Sequence, residues 1–420
     1  MAKLLSVVLL LTISTVFALP SGNTNPNPNP STPPTHPSPN PPVYNNHTTW
    51  IPGPTHGTDA LALQGLANLK LHKATHASNS TCTLENAHRR KEWDSFTRAQ
   101  KLAYIAAVKC MTTKPSISGD LVPGARSRLD DFVGTHVNQT LRIHTTGNFL
   151  SWHRYFLYTY ETALRSECNY TGYQPYASWG RYTNSVINSP LFDGSETSIS
   201  GNGVYKAHPP IIIGPAGPDA LSLTPGVGGG CITTGPFANT TVNLGPGGLT
   251  GINDTAPNPR ADGFGYNPRC LRRDLSVQSA SGASDANTTK LIMGNDDIAG
   301  FQNEMQGLFA PGEKPFYGVH SGGHFMVGGD PGGDFYTSPG DMWFFFHHAM
   351  IDRVWWTWQN MDIPTRTNSI AGTITFLNEP PSRNATLEDV IDLGVNDGFR
   401  GMRIREAMST TEGPFCYVYE

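Results

Sequence analysis

Bulky apolar residues recur at helical spacing in several stretches of this chain. The clearest is WHRYFLYTYETALRSE, which begins at Trp152, and AMIDRVWWTWQ, which begins at Ala349, repeats the pattern. Apolar residues three and four positions apart share one face of an α-helix. This spacing predicts helices at about residues 92–111, 149–167, 300–308 and 348–359.

The amino-acid composition changes between these stretches. Residues 205–295 are rich in Gly, Pro, Thr and Asn, which favour turns over regular elements. This segment should be mostly loop with short strands. The sequence therefore predicts a mainly α fold, in which a helical bundle core carries long loops and few short strands.

The amino-terminal residues carry two different patterns. Lys3 is followed by the apolar run LLSVVLLLTISTVFA, with Val16 and Ala18 at the small-residue positions of a cleavage site. Residues 1–18 are thus predicted to be a secretory signal peptide, because the run is too short for a membrane span; an uncleaved anchor is the alternative. Residues 19–55, dominated by Pro, Asn and Ser, should form a disordered spacer before one domain at residues 56–420.

Seven of the 14 histidines fall into two clusters. The first is His136, His144 and His153; the second is His320, His324 and the His347–His348 pair. A lone histidine is more often a hydrogen-bonded structural residue than a ligand, but the repeated clusters favour metal binding. All-imidazole sites suit copper, zinc, iron or nickel. Three further histidines in or beside the spacer are interpreted as solvated: His36, His47 and His56.

The spacing within the clusters indicates how they are carried. His320 and His324 are four residues apart and would share one face of a helix. His144 and His153 are nine residues apart and would point to opposite sides of one straight helix, so His144 should lie on a loop. The last turns of opposed helices are then expected to bring the histidines to one bundle core.

Other metal enzymes fit this pattern less well than a copper enzyme. A zinc protease of the HExxH kind needs a Glu after the first histidine, where this chain has Ser321. Non-haem iron oxygenases need two histidines and a carboxylate, and no such set is evident at these positions. Copper is therefore the predicted metal.

The residues around both clusters resemble a known family. FLSWHRYFLYTYE and SPGDMWFFFHHAMIDRVWWTWQ are similar to the two copper-binding signatures of the tyrosinase and catechol oxidase family, the type 3 copper proteins. The similarity covers residues 136–359, with weaker likeness in EWDSFTRAQKLAYIAAVKC upstream. It implies two copper ions, with His136, His144 and His153 holding copper A and His320, His324 and His348 holding copper B.

The same resemblance implies a reaction and two supporting residues. His347 would support the ligands without binding copper itself, and Asp352 would fix the orientation of a ligand ring. The implied function is a secreted oxidase that uses O2 to convert a small o-diphenol to an o-quinone. A true tyrosinase that also hydroxylates monophenols and a haemocyanin-like oxygen-binding protein are the alternatives. A copper-free relative is disfavoured because all six ligand positions are filled.

Departures from the family pattern bear on the site. Arg142 stands where many fungal and plant members have a cysteine bonded to the second copper A histidine, so that cross-link cannot form. Ala177 and Ser178 replace the Trp and Asp of the usual PYWDW. Neither change touches an implied ligand.

Two further positions concern the hydroxylation of monophenols. Members that hydroxylate monophenols often have an Asn after the first copper B histidine and an upstream Glu, which together hold a base-like water. This chain has Ser321 and, when FQNEMQGLF is aligned with the family, Gln306. An amide is not basic near neutrality. Weak or absent hydroxylation is predicted, unless Glu304 or Glu313 supplies the carboxylate.

Aromatic residues beside the ligands are candidates for substrate tuning. Phe344, Phe345 and Phe346 could gate the copper A side, although an apolar run entering a core helix is more often packing. Phe325, directly after His324, could line the substrate entrance. Of these, Phe325 and Phe345 are taken as the candidates.

Cysteines, sequons and charge agree with secretion. Six cysteines permit three disulfides, and the Cys231–Cys270 pair is favoured because it brackets the insert between the copper motifs. Eight Asn-x-Ser/Thr sequons fit a glycosylated extracellular protein: Asn46, Asn79, Asn138, Asn169, Asn239, Asn253, Asn287 and Asn384. The net charge of −4 and the lack of a basic run indicate neither nucleic acid nor an anionic membrane as a partner.

The carboxyl-terminal part is short for this family. The stretch that follows His348 is too short for the separate shielding domain that many members carry, so no such domain is expected. The tail from Asn360 could still cover part of the site.

Overall fold

The computed structural model of the protein describes residues 49–76, 79–213, 220–307, 317–395 and 399–420. The predicted signal peptide and all but the end of the predicted spacer lie outside these ranges. Residues 49–55 contact the domain, because the N–H of Gly53 donates to the carbonyl of Arg181 and Trp50 stacks on Tyr182. The prediction of a disordered spacer is therefore wrong for residues 49–55.

Helices make up most of the regular structure in the described residues, which confirms the mainly α class. They are α1 His56–Thr75, α2 Arg98–Thr113, α3 Arg128–Ile143, α4 Phe149–Glu167, α5 Val277–Ala280, α6 Asp285–Gly294, α7 Ile298–Gln306, α8 Gly318–Val327, α9 Trp343–Met361 and α10 Ile363–Arg366.

The strands are short and form two-stranded pairs. They are β1 His88–Arg90, β2 Gly203–Tyr205, β3 Ile211–Ile213, β4 Leu221–Leu223, β5 Gly229–Ile232, β6 Thr241–Val242, β7 Arg269–Cys270, β8 Val390–Ile391, β9 Met402–Arg403 and β10 Tyr417–Tyr419. β1 pairs with β10 in parallel, whereas β2–β5, β3–β4, β6–β7 and β8–β9 are antiparallel.

Local capping sets where the predicted helices begin and end. The prediction for residues 149–167 is confirmed by α4. The helix predicted from residue 92 begins only at Arg98, because the side chains of Thr97 and Gln100 cap each other's backbone N–H groups. The helix predicted at residues 300–308 begins at Ile298 and ends where Gly307 turns left-handed, with φ 76°.

The start of α9 was also predicted too late, at His348 instead of Trp343. Every residue from Trp343 to Asn360 is buried. A helix that is apolar on all sides has no single face for the sequence pattern to reveal. α9 packs against α1, α4, α6 and α8, so it forms the centre of the helical core.

Five of the described helices were not predicted: α1, α3, α5, α6 and α10. α3 begins at a second capping box, formed by Ser127 and Asp130. α6 begins after Ser284, whose side chain accepts a hydrogen bond from the N–H of Asn287. It lies within residues 205–295, so the prediction of loop and short strands is right for β2–β7 and wrong for α5 and α6.

Three disulfides tie the elements together. The favoured Cys231–Cys270 pair is confirmed, and the others are Cys82–Cys416 and Cys110–Cys168. Cys110 and Cys168 join the ends of α2 and α4, and Cys416 lies directly before β10. Among the described residues, none of the helices is both long enough and apolar enough to cross a membrane.

Candidate active site

The structure brings the histidines of the two clusters together in the interior. Their nitrogen atoms form two groups that could hold metal ions, one of His136, His144 and His153 and one of His320, His324, His347 and His348. Within each group the ligand atoms lie within 4.8 Å of one another. The two groups adjoin, because the rings of His153 and His348 stack with 4.5 Å between their centroids.

Three of these histidines lie in the early turns of their helices. His153 lies in the second turn of α4, His348 in the second turn of α9, and His320 near the start of α8. The prediction that last turns would supply the histidines is therefore wrong for these three, whereas His324 does lie in the last turn of α8. His144 has an extended backbone directly after α3, which confirms the loop predicted for it, and Thr145 then turns left-handed with φ 51°.

Backbone carbonyls orient the rings of the first group. In each ring Nδ1 lies within hydrogen-bonding distance of a main-chain oxygen: His136 with Tyr336 (2.7 Å), His144 with Thr140 (2.9 Å) and His153 with Phe149 (2.7 Å). A carbonyl only accepts, so each Nδ1 carries the proton and each Nε2 keeps a lone pair. The Nε2 atoms of His136 and His153 are buried with no hydrogen-bond partner, as metal ligands would be.

The second group shows a metal-like spacing. Nε2 of His348 lies 3.3 Å from Nε2 of His324. Two nitrogens bound to one tetrahedral metal at about 2.0–2.1 Å stand roughly 3.3 Å apart. Nε2 of His320 is likewise buried without a partner. A cation between these nitrogens would satisfy the unpaired Nε2 of His320 and replace the contact between the rings of His324 and His348.

His347 is turned away from this role by Trp179. The indole Nε1 of Trp179 donates to Nδ1 of His347 at 3.0 Å. An indole N–H only donates, so Nδ1 accepts and the proton of the neutral ring lies on Nε2. This leaves no free lone pair for a metal. The ring fills space beside Gly323, where a Cβ would lie 2.2 Å from it. The arrangement favours His348 as the ligand.

The interior keeps these imidazoles neutral. Burial lowers the pKa of His144 to about 4 and, together with His144, lowers that of His324 to about 3. Burial also lowers the pKa values of the others well below the usual 6.5: His136, His153, His320, His347 and His348. Neutral imidazole is the form that binds metals, and an all-imidazole donor set fits copper.

Asp352 does not support a histidine ring. Its Oδ1 accepts from Arg154 Nε at 2.5 Å, and its Oδ2 accepts from Arg90 at 3.3 Å. The hydroxyls of Tyr417 and Tyr419 donate to the same Oδ2, each at 2.6 Å. The predicted contact with a ligand is therefore wrong, because two buried arginines and two tyrosines take up the carboxylate.

Gln306 lies against the turn that follows His144. Its Oε1 accepts from the N–H of Thr145 at 2.8 Å, and its Nε2 donates to the carbonyl of Gln302 at 3.1 Å. The amide predicted to replace a catalytic carboxylate is thus near the first histidine group, and it is engaged with the backbone there. Ser321 is half-buried in α8.

The alternative carboxylates are less suited to that position. Glu304 accepts from Nδ2 of Asn295 at 2.7 Å and forms an ion pair with Lys290 at 3.4 Å. Its side chain therefore faces α6 and the residue that follows it, not Thr145. Glu313 lies outside the described residues.

The three consecutive phenylalanines have different surroundings. Phe344 is buried against the histidines, with its ring 4.1 Å from that of His348. Phe345 is fully buried and stacks on Tyr160 at 3.4 Å, so the role predicted for it in substrate tuning is wrong. Phe346 packs against Trp93 in the core, which rules out a gating role for it as well.

One aromatic residue at the site was missed. Phe335 is half-buried, and its ring lies 4.8 Å from that of His144. Phe376, in the carboxyl-terminal part, backs it at 5.7 Å. No motif marks Phe335, because it lies in a loop between the second histidine cluster's two parts. Phe325 is half-buried directly after His324, as an entrance residue would be.

The remaining sequence features lie away from the histidines. Arg142 is exposed, and Ala177 is buried with its N–H donating to the carbonyl of Phe346 at 3.4 Å. Six of the sequon asparagines are exposed: Asn79, Asn138, Asn169, Asn239, Asn253 and Asn384. Asn287 is half-buried, and its Nδ2 donates to two backbone carbonyls. Asn46 lies outside the described residues.

Comparisons with known proteins identify the family of this chain. The family model described as the common central domain of tyrosinase matches residues 126–361. Tyrosinase P of Aspergillus terreus is 40% identical over 332 residues, which cover 79% of this chain and 91% of that protein. The tyrosinase-like protein orsC of Emericella nidulans is 44% identical over 310 residues, covering 71% of this chain and 80% of that protein.

A solved structure extends the likeness to the fold. A variant of the polyphenol oxidase from Thermothelomyces thermophila has a TM-score of 0.80 and 43% sequence identity, covering 88% of this chain and 98% of that one. The chain belongs to the tyrosinase family, and it is an oxidoreductase of that family.

Proposed function

We propose that the protein is a secreted, two-copper polyphenol oxidase that uses O2 to oxidise o-diphenols to o-quinones. Hydroxylation of monophenols is weak or absent. The observation that carries the proposal is the set of three Nδ1–H groups of His136, His144 and His153 that carbonyls hold, and Nε2 of His136 and of His153 is buried without a partner.

Each of the two histidine groups is proposed to hold one copper. His136, His144 and His153 would hold copper A, and His320, His324 and His348 would hold copper B. When bound, the copper pair supplies the capacity to take two electrons from a catechol and pass them to O2. The protein contributes fixed tautomers, neutral rings and a buried donor set, so the imidazoles need no proton loss before they bind the metal.

Substrate access is proposed beside the half-buried His324. Phe325 follows it in α8, and Phe335 lies against His144 at half-burial. These rings offer an apolar contact for a phenol, and they exclude water from the buried histidines. Phe344 lies on the interior side of the group and supports the ring of His348.

The proposed preference for o-diphenols rests on the groups beside the site. A positioned general base assists deprotonation of a phenol by about 10²–10⁴-fold. Gln306 is not basic, and its Oε1 is occupied by the N–H of Thr145. Glu304 is paired with Lys290 and Asn295. A monophenol would therefore lack the assistance that hydroxylating members obtain from a carboxylate and a water.

Oxygen uptake on a catechol and on the matching monophenol tests this proposal. Copper-loaded protein should consume O2 rapidly with the catechol and at least 10²-fold more slowly with the monophenol, without added reductant. Asn303→Ala, at an exposed position of α7, serves as a control that should behave like the wild type. Equal rates on the two phenols, with no lag, would contradict the proposed preference.

Secretion is proposed from two features. The predicted signal peptide at residues 1–18 and the three disulfides both suit an oxidising compartment. The exposed sequons offer sites for N-glycans. Amino-terminal sequencing and glycan release on protein recovered from culture medium would test this, and an intact Met1 on unglycosylated intracellular protein would contradict it.

A further inference from the structure

The turn that follows His144 is held by a segment far away in the sequence. Residues 371–385 form a hairpin, in which the N–H of Ile374 donates to the carbonyl of Arg383 at 3.2 Å. We call these residues the carboxyl-terminal hairpin. The hairpin docks on residues 144–148, so the tail of the chain forms one side of the ligand turn.

Two hydrogen bonds join the hairpin to the turn. The N–H of Leu377 donates to Oγ1 of Thr145 at 2.7 Å, and the N–H of Gly147 donates to the carbonyl of Thr373 at 2.9 Å. The approach is possible only without a side chain at residue 147. A Cβ on Gly147 would lie 2.6 Å from the Cβ of Ala385, well inside van der Waals contact. The turn and the hairpin therefore fit closely.

The helix α7 holds the same turn from another side. Oε1 of Gln306 accepts from the N–H of Thr145, and one turn earlier Nε2 of Gln302 donates to the carbonyl of Ala371 in the hairpin at 2.6 Å. Thr145 has φ 51°, a conformation that a β-branched residue keeps only when its surroundings impose it. Gln306 thus fixes the peptide directly after His144.

We propose that Gln306 is a positioning residue for His144, and that the carboxyl-terminal hairpin shares this task. The proposal rests on the proposed function only in taking copper as the bound metal. Without the Gln306 acceptor, the Thr145 peptide is free to leave the left-handed region, and the backbone of His144 moves with it. The hydrogen bonds of Gln306 go to the turn and to its own helix, so the loss should affect copper A selectively.

Chelator challenge of copper-loaded protein tests this assignment. Gln306→Met removes the acceptor at similar side-chain length, Gln306→Glu keeps an acceptor oxygen, and Asn303→Ala is the surface control on the same helix. We expect Gln306→Met to release one of two coppers roughly 10–100-fold faster than the wild type and the other at the wild-type rate. Gln306→Glu should release both coppers as slowly as the wild type.

Gly147→Ala approaches the same turn from the hairpin side. The added methyl group pushes the hairpin away, so the same selective release of one copper is expected even if Gln306→Met does not fold. Hydrogen exchange gives a readout without metal: in metal-free Gln306→Met the Thr145 amide should exchange roughly 2–10-fold faster than in the wild type.

The outcomes separate this proposal from the proposed function. Wild-type release rates from both Gln306→Met and Gly147→Ala, or equal acceleration of both coppers, would overturn the positioning role. A wild type that retains two coppers but oxidises no catechol would overturn the proposed function alone. A wild type that binds no copper would overturn both.

Discussion

Arg154 Nε and Asp352 Oδ1 lie 2.5 Å apart and join the helices that carry His153 and His348. Arg154 directly follows His153 in α4, and Asp352 lies one turn after His348 in α9. Both side chains are almost completely buried. The ion pair therefore fixes the distance between the helices of the two histidine groups without touching either group.

Removing the charge of Asp352 should destabilise the fold strongly. Asp352→Asn would leave Arg154 buried without a carboxylate and Arg90 with Glu161 as its remaining partner, and breaking a buried pair costs about 3–5 kcal/mol. Urea unfolding of the metal-free protein measures the loss. Glu406→Gln, which weakens the ion pair with the exposed Arg400, is the control and should cost less than about 1 kcal/mol. Similar losses in both variants would contradict the assignment.

The Trp179–His347 hydrogen bond predicts which member of the histidine pair binds metal. His348→Ala should remove most of one copper from the loaded protein, because it deletes a ligand. His347→Ala should weaken metal affinity or activity by roughly 10–100-fold, as loss of a supporting residue does. Elemental analysis of both variants decides between them. If His347→Ala empties the site and His348→Ala does not, the two roles must be exchanged.

The metal-free protein should lose stability steeply in mild acid. An imidazole in the unfolded chain titrates near pH 6.5, whereas burial lowers the folded pKa of His144 to about 4 and of His324 to about 3. The unfolded chain therefore takes up protons first as the pH falls. The two histidines therefore cost no stability above about pH 6.5, and the cost grows as the pH falls to about 4 for His144 and to about 3 for His324.

Thermal unfolding at a series of pH values measures this dependence. His153→Gln removes one buried imidazole, so the pH slope of its unfolding free energy should fall by up to about 1.4 kcal/mol per pH unit. An unchanged slope would mean that these histidines do not dominate the acid sensitivity.

The scope of the reaction should respond to a paired change. Ser321→Asn with Gln306→Glu supplies the Asn and the carboxylate that hydroxylating members carry, so the monophenol rate should rise relative to the catechol rate. Oxygen uptake on a matched pair of phenols measures the ratio. The single change Gln306→Glu should alter the ratio less, because the N–H of Thr145 remains available to the new carboxylate. An unchanged ratio in the double variant would contradict the water-holding argument.

The sequence predicted which histidines form the site better than it predicted the contacts around them. α4 and the His320–His324 pair follow from short-range spacing, which a single helix determines. Asp352 was assigned to a ligand because it lies one turn after His348, yet partners distant in sequence, such as Arg154, take its oxygens. The contact between Trp179 and His347 spans 168 residues and likewise depends on tertiary packing.

The sequence did not distinguish aromatic residues that contact the site from those that pack in the core. The Phe-Phe-Phe run was compatible with a gate or with core packing, and the full burial of α9 places Phe345 in the core. Phe335 lies in an irregular loop, where no periodic pattern marks a residue that contacts the site. The carboxyl-terminal hairpin can dock only because Gly147 has no side chain. The sequence shows this glycine but does not indicate which segment packs against it.

Copper titration of the metal-free protein, followed by oxygen uptake on a simple catechol, tests the central claim most directly. Because the two histidine groups must act together, we expect activity to reach its plateau at two copper ions per chain. We also expect His153→Ala to remain inactive at any copper level. A plateau at one copper per chain, or no oxygen uptake at two, would contradict the account.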